Sequence, residues 1–379
     1  PIERYFAFGL IAIFLVFIAS PMSAASLGLE DSSNNTEKRT LAKKPTFSLG
    51  NVDIGSFFKE YEAYINDHFG FRNLLNKWNN YLKYHILKVS PVEKVIVGKD
   101  GWLFLNSDGA LDDYRGTNHL TEDELIKLKT ILEERKAWLE KQGIKYYVFV
   151  APNKHTIYSE FLPNHIQKIN ERSRLDQVID YLKQNSDIEV IDVRPVLLAH
   201  KDDQLLYRKK DTHWNGLGAF YAYQELINRI GNDFPSVTPM SLENYNLQVQ
   251  KNVGDLAVML SLNQLEDHIV LEPKNPSAVQ DAQADPQLYP NPPGLVVKEN
   301  PSNPDSLRMV MFRDSFSQEM VPFLSEHFSR SVYIWDPHFD VNAIQMEQPN
   351  IVIHEVVERF LSSLMLENPV EVQQSLTAQ

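Results

Sequence analysis

The sequence predicts an α/β fold whose mostly parallel sheet is covered by helices on both faces. Short runs such as 145–152 (KYYVFVAP), 308–312 (RMVMF) and 350–357 (NIVIHEVV) are almost continuously apolar, as strands buried on two sides must be. They alternate with stretches of helical periodicity, the signature of crossover connections in a parallel sheet. The chain has 379 residues, enough to bury one large core.

The elements follow in order. After Glu3 and Arg4 the chain carries no charge until Glu30, and Phe6 to Ala19 is its most apolar part. Residues 1–29 therefore read as a signal peptide or a membrane anchor, with the anchor as the expectation. Residues 30–45 are polar and lack aromatics, the composition of a flexible linker. A single domain is expected over 46–364, followed by a polar tail, 365–379. Within it, 51–89 spaces apolar residues three and four apart and predicts two helices that break near Gly70. Residues 92–105 (VEKVIVGKDGWLFL) predict a hairpin turning at Lys99-Asp100-Gly101. Thr121 and Glu124 open a helix that closes on Gly143. Strands are expected at 145–152, 188–193, 308–312, 331–335 and 350–357, and helices at 172–184, 219–230 and 317–328. Pro322 is expected to kink or shorten the last helix. The Pro-, Asn- and Asp-rich stretch 272–305 reads as an irregular excursion.

Composition excludes several functions. A net charge of −13 argues against nucleic acid, which requires a basic face. The absence of cysteine removes disulfides, thiolate nucleophiles and cysteine-ligated metals. No glycine-rich phosphate loop is present, and His354-Glu355-Val356-Val357-Glu358 lacks the second histidine of a zinc helix, so neither cofactor nor metal is expected.

Ligands of open parallel sheets bind at the carboxyl ends of strands. Asn153-Lys154, Asp314-Ser315 and His354-Glu355 fall at such ends, and Lys209 to Gly218 precedes a helix. Ser315 with Gln318 fits a capping box, in which the hydroxyl merely caps. The same serine, at a strand-to-helix turn, would also have backbone N–H groups beside whatever it attacks. Asp211-Thr212-His213 can supply its base and the group that orients the base, because residues two apart in an extended segment point the same way. Alternatively Asp211 or Asn215 caps the following helix and His213 is a surface residue. These residues allow acyl transfer without demanding it.

Asp211-Thr212-His213-Trp214-Asn215, the following Gly218-Ala219-Phe220-Tyr221-Ala222-Tyr223 and the later Arg313-Asp314-Ser315-Phe316-Ser317 resemble the SGNH-hydrolase-like proteins of the alginate O-acetyltransferase type (AlgX/AlgJ) and the related DHHW proteins. Collinear similarities are Phe69-Gly70-Phe71-Arg72, Val97 to Phe104, Ala151 to Tyr158 and Val357-Glu358-Arg359-Phe360, so the resemblance spans about residues 53 to 361. It implies a flavodoxin-like three-layer α/β/α domain outside the cytoplasm that moves acetyl groups onto a polysaccharide. Ser315 would be the nucleophile, His213 its base and Asp211 the orienter. A membrane-bound acetyl-translocating partner would supply the donor. In this sequence Arg313 stands where Gly-Asp-Ser esterases carry glycine, and Asn153 replaces an aspartate. Lys154, Arg313 and Asn153 are the expected contacts to a carboxylated sugar, with structural ion pairing as the alternative for the two cations; Glu358-Arg359 is expected to be structural. The same site using water would make an acetyl-esterase, and the fold without catalysis a polysaccharide-binding or assembly protein.

Overall fold

β-branched and aromatic runs form the strands, and their two-residue alternation divides the core. The structure, a computed structural model, describes residues 2–26, 41–46, 54–290 and 292–366. Most of the expected linker and tail, residues 30–40 and 367–379, lies outside them. The chain divides into two units, residues 1–91 with 260–262, and residues 92–259 with 263–379. In the first unit many apolar side chains of the helices stay exposed.

In the first unit, Ile2–Ser26 is one helix despite Pro21, and Arg4–Pro21 is long and apolar enough to cross a bilayer. Ile54–Asp67 and Arg72–Tyr81 are the two expected helices. They break at Gly70-Phe71, where Phe71 takes φ 62°. A π-helical turn, Leu82–Leu87, extends the second.

The second unit opens with the hairpin β1 (Val95–Val97) and β2 (Leu103–Leu105), whose turn places Asp100 and Gly101 at φ 52° and 80°. Helix Glu122–Glu140 starts on the expected capping box, Thr121 Oγ1 accepting from the Glu124 N–H and Glu124 from the Thr121 N–H. The central strands are β3 (Lys145–Ala151), β4 (Val190–Asp192), β9 (Arg308–Phe312), β10 (Arg330–Ile334) and β11 (Ile351–Val357), with β5 (Tyr245–Val253) and β6 (Leu265–Pro273) forming a separate hairpin. β7 (Val279–Gln280) and β8 (Val296–Glu299) complete a seven-stranded sheet of order β4-β3-β11-β9-β10-β8-β7. It is parallel from β4 to β10 and antiparallel at the β8 and β7 edge. Met309 and Met311 join one buried cluster, Val310 and Phe312 another, so both faces are covered and the expected three-layer α/β fold is present.

Three expectations change. The stretch 272–305 is not wholly irregular, since its apolar run at Leu295-Val296-Val297 builds β8 and buries Val297. The hairpin of β5 and β6 was not among the expected elements, although Tyr245, Leu247, Val249 and Val253 alternate with polar residues; β5 is mostly exposed. The helix expected at 317–328 is instead a 3-10 segment Phe316–Met320, a single α turn Val321–Leu324 and a 3-10 turn Ser325–His327. Pro322, at the start of that α turn, has no N–H to continue a helical ladder.

Candidate active site

β3, β11 and β9 are neighbours, so the segments leaving their carboxyl ends converge. Asp314 fixes the turn after β9. Its Oδ1 accepts the Phe316 N–H at 2.8 Å and its Oδ2 the Val357 N–H at 2.7 Å, while its own N–H donates to Glu355 Oε2 at 2.9 Å. Burial, reinforced by the Asp314 charge, pushes the Glu355 carboxyl well above the usual carboxylate range.

Ser315 stands on this turn without capping anything, and no capping box with Gln318 forms. Its Oγ lies 2.7 Å from His213 Nε2. The segment that follows is a short 3-10 stretch rather than the expected α-helix, and its Phe316 N–H is held by Asp314 and so is not open to an oxyanion.

His213 reaches Ser315 from a tight loop. Tyr207 bridges Trp214, the Arg208 N–H donates to the His213 carbonyl, and the Asn215 N–H donates to the Leu206 carbonyl. Asp211-Thr212-His213 is thus the tip of a turn rather than the extended segment expected. Asp211 Oδ1 accepts the His213 backbone N–H at 3.0 Å and lies 2.7 Å from Nδ1, an Asx-type turn that achieves the same juxtaposition. Asn215 caps helix Gly216–Asp233 by accepting from the Leu217 and Gly218 N–H groups, which leaves Asp211 to the imidazole. The Trp214 indole donates to the Phe316 carbonyl at 2.8 Å and ties the histidine loop to the serine turn.

Asp211 is buried and heavily engaged. Its Oδ2 pairs with Arg208 Nη1 at 2.7 Å and accepts the Asp255 N–H at 3.0 Å. Burial works to raise its pKa, but His213 and Arg208 outweigh it and hold the carboxyl below the usual range. An ionised Asp211 favours the tautomer with the proton on the adjacent Nδ1.

The sequence reading missed Asp255. It follows β5, and its oxygens accept the Thr212 N–H and hydroxyl. Thr212 Oγ1 in turn lies 3.1 Å from His213 Nδ1, with Asp255 Oδ2 at 3.8 Å. Gly254 permits this approach, since a Cβ there would stand 2.1 Å from the Lys210 carbonyl oxygen. The Gly-Asp pair between two apolar runs was the available signal. Asp211, His213 and Asp255 each bring a ligand atom within 4.8 Å of the others, as a metal site would. Their oxygens are already taken by N–H groups, a hydroxyl and a guanidinium, so the donor set suits hydrogen bonding rather than a cation.

The three residues expected to contact sugar are placed as follows. Lys154 is buried, and its ammonium donates to the carbonyls of Arg208, Lys209 and Asp211, which uses all three protons. Arg313 is buried, donates to the Asp314 and Gly294 carbonyls, and stacks 5.0 Å over Trp335. Asn153 is buried between Asp113 and Arg359. All three are engaged by neighbours within the protein, and Asn153 and Lys154 also line a small cavity beside Thr212. Arg359, expected to be structural, is partly exposed: it donates to Asn153 Oδ1, lies 5.4 Å over the Phe316 ring, and lines a small cavity with Thr212, Lys154 and Asn153.

Comparison with known proteins agrees with this architecture. Residues 95–337 match the family model for the SGNH hydrolase-like domain of the acetyltransferase AlgX. A probable alginate O-acetylase AlgJ of Pseudomonas syringae pv. tomato is 24% identical over 85% of this chain and 83% of its own length. Among solved structures, Bacillus cereus PatB1 covers 72% of this chain and 99% of its own at TM-score 0.53 and 20% identity. A DHHW family protein of Eubacterium siraeum covers 74% and 98% at TM-score 0.50 and 19% identity, and both share the fold. With the family model covering well over half of it, the chain belongs to the SGNH hydrolase-like O-acetyltransferase family of AlgX.

Proposed function

We propose that this enzyme transfers acetyl through an acetyl-Ser315 intermediate to hydroxyls of a secreted or cell-surface polysaccharide. The observation that carries the reading is the row Ser315 Oγ–His213 Nε2–Asp211, joined by contacts of 2.7 Å on each side of the imidazole. As Ser315 Oγ attacks the acetyl carbonyl carbon of an ester donor, its proton passes to His213 Nε2. Asp211, kept ionised, stabilises the imidazolium and fixes its tautomer. The donor's carbon–oxygen bond then breaks, and the leaving alkoxide takes the proton from His213. In the second half, a sugar hydroxyl attacks acetyl-Ser315 and gives its proton to Nε2, which returns it to the departing serine oxygen. Nothing is oxidised or reduced, and no cofactor enters.

The relatives named as alginate O-acetylases support an alginate-like acceptor. The apolar helix Ile2–Ser26, as signal or anchor, supports work on the periplasmic or outer face of the cytoplasmic membrane. Cytosolic acetyl donors do not reach that side, so a membrane-bound partner that passes acetyl across the bilayer is the proposed source.

Incubation with an activated acetyl ester and alginate oligosaccharides tests the transfer. A positioned hydroxyl competes with water at about 55 M, and well-oriented groups reach effective molarities of about 10⁵ M, so acetylated sugar should form at the expense of free acetate. Acetate release that no oligosaccharide alters, with no acetylated sugar, makes the enzyme an esterase.

A further inference from the structure

Helix Arg72–Tyr81 and the π-helical turn after it carry their apolar side outward. Leu74, Leu75, Trp78, Tyr81, Leu82 and Ile86 recur at helical spacing on one face. All six are exposed, Trp78 at 62% and Ile86 at 64%. The opposite side holds Asn76, Asn80 and Tyr84; Asn80 Nδ2 donates to the Leu260 carbonyl at 3.1 Å and Tyr84 is buried. A helix on the surface of a soluble protein has the reverse arrangement, apolar inward and polar outward.

Charge narrows what covers this face. From His68 to Val92 the sequence has no acidic residue, while Arg72, Lys77, Lys83 and Lys88 are basic, in a chain whose net charge is −13. An apolar face with Trp and Tyr, rimmed by lysines, matches the headgroup region of a bilayer rich in anionic lipid. There the aromatic rings sit at the interface and the lysines reach phosphate. A bilayer-length helix, Arg4–Pro21, precedes it in the same chain.

We propose that residues 72–89 lie in the surface of an anionic membrane, with Leu75, Trp78, Leu82 and Ile86 toward the acyl chains. This attachment adds to whatever hold the first helix provides, and it does not depend on the acetyl-transfer chemistry.

The chain contains no cysteine, so single labelling sites can be introduced cleanly. An environment-sensitive fluorophore is attached at Leu75→Cys, Leu82→Cys and, on the rim of the face, Asn79→Cys. Each full-length protein is reconstituted into phosphatidylglycerol–phosphatidylcholine vesicles or into phosphatidylcholine alone. At 75 and 82 the emission should shift to the blue and be quenched several-fold by nitroxide-bearing lipid, with a smaller effect at 79. The quenching should fall in neutral vesicles and after Lys77→Glu with Lys83→Glu. As a check independent of labelling, brominated lipid should quench part of the intrinsic fluorescence of the unlabelled protein, and Trp78→Phe should remove that part. Water-like emission at 75 and 82 in anionic vesicles overturns the proposal. So does blue-shifted emission that lipid quenchers cannot touch, which would mean that protein covers the face.

Discussion

Two groups of polar side chains meet beside the Ser315 turn and differ in what they have left to offer. Lys154 and Arg313 are cations beside a reaction centre, yet they are buried and the Lys154 ammonium has no proton to spare beyond three backbone carbonyls. His213 and Ser315 are only partly buried and engage each other, with Asp211 behind the ring. Residue type does not separate these groups, because a buried charge must be fully paired whatever its origin. Remaining capacity separates Lys154 from the reacting pair: its ammonium has none, whereas His213 and Ser315 share one bond that substrate can replace.

The largest break of this contrast falls on Asp211. Asp211→Asn leaves the loop's shape but lets the imidazole turn its wrong nitrogen to Ser315. Steady-state rates with an activated acetyl ester should fall on the order of 10²–10⁴-fold, with KM little changed. Lys154→Met addresses the other group. If Lys154 supports the loop, thermal unfolding should show a loss of about 2–4 kcal/mol, and kcat should fall with the loosened loop. A raised KM for the sugar acceptor at unchanged stability would restore Lys154 as a binding residue. Asp255→Asn should cost less, up to about 10²-fold in kcat, because it acts on His213 through Thr212 and by fixing the turn. Full activity in that variant would remove Asp255 from the account. Glu355→Gln should change least, within about 1 kcal/mol in denaturant unfolding, since a carboxyl held neutral can be replaced by an amide that still accepts the Asp314 N–H.

The strands of the sheet were legible because burial on both faces leaves continuously apolar runs, and Arg308–Phe312 falls where the pattern placed it. The Asp-x-His pair and the serine after β9 were legible as chemistry, though Asp211 reaches His213 through a turn rather than along a strand. Asp255 was not, because it lies 43 residues from Thr212, between β5 and β6, and touches the site through a neighbour's hydroxyl. The roles of Lys154, Arg313 and Asn153 were illegible for another reason. Whether a cation is consumed by carbonyls depends on contacts such as Lys154 to Arg208, which lie 54 residues apart.

The central claim is that Ser315 carries the acetyl group. Mass analysis of peptides after brief exposure to an activated acetyl ester tests it directly. The account predicts one acetyl on the peptide containing Ser315, absent in Ser315→Ala and strongly slowed in His213→Ala. Unmodified Ser315 in a protein that still turns over the ester, or undiminished turnover by Ser315→Ala, would contradict it.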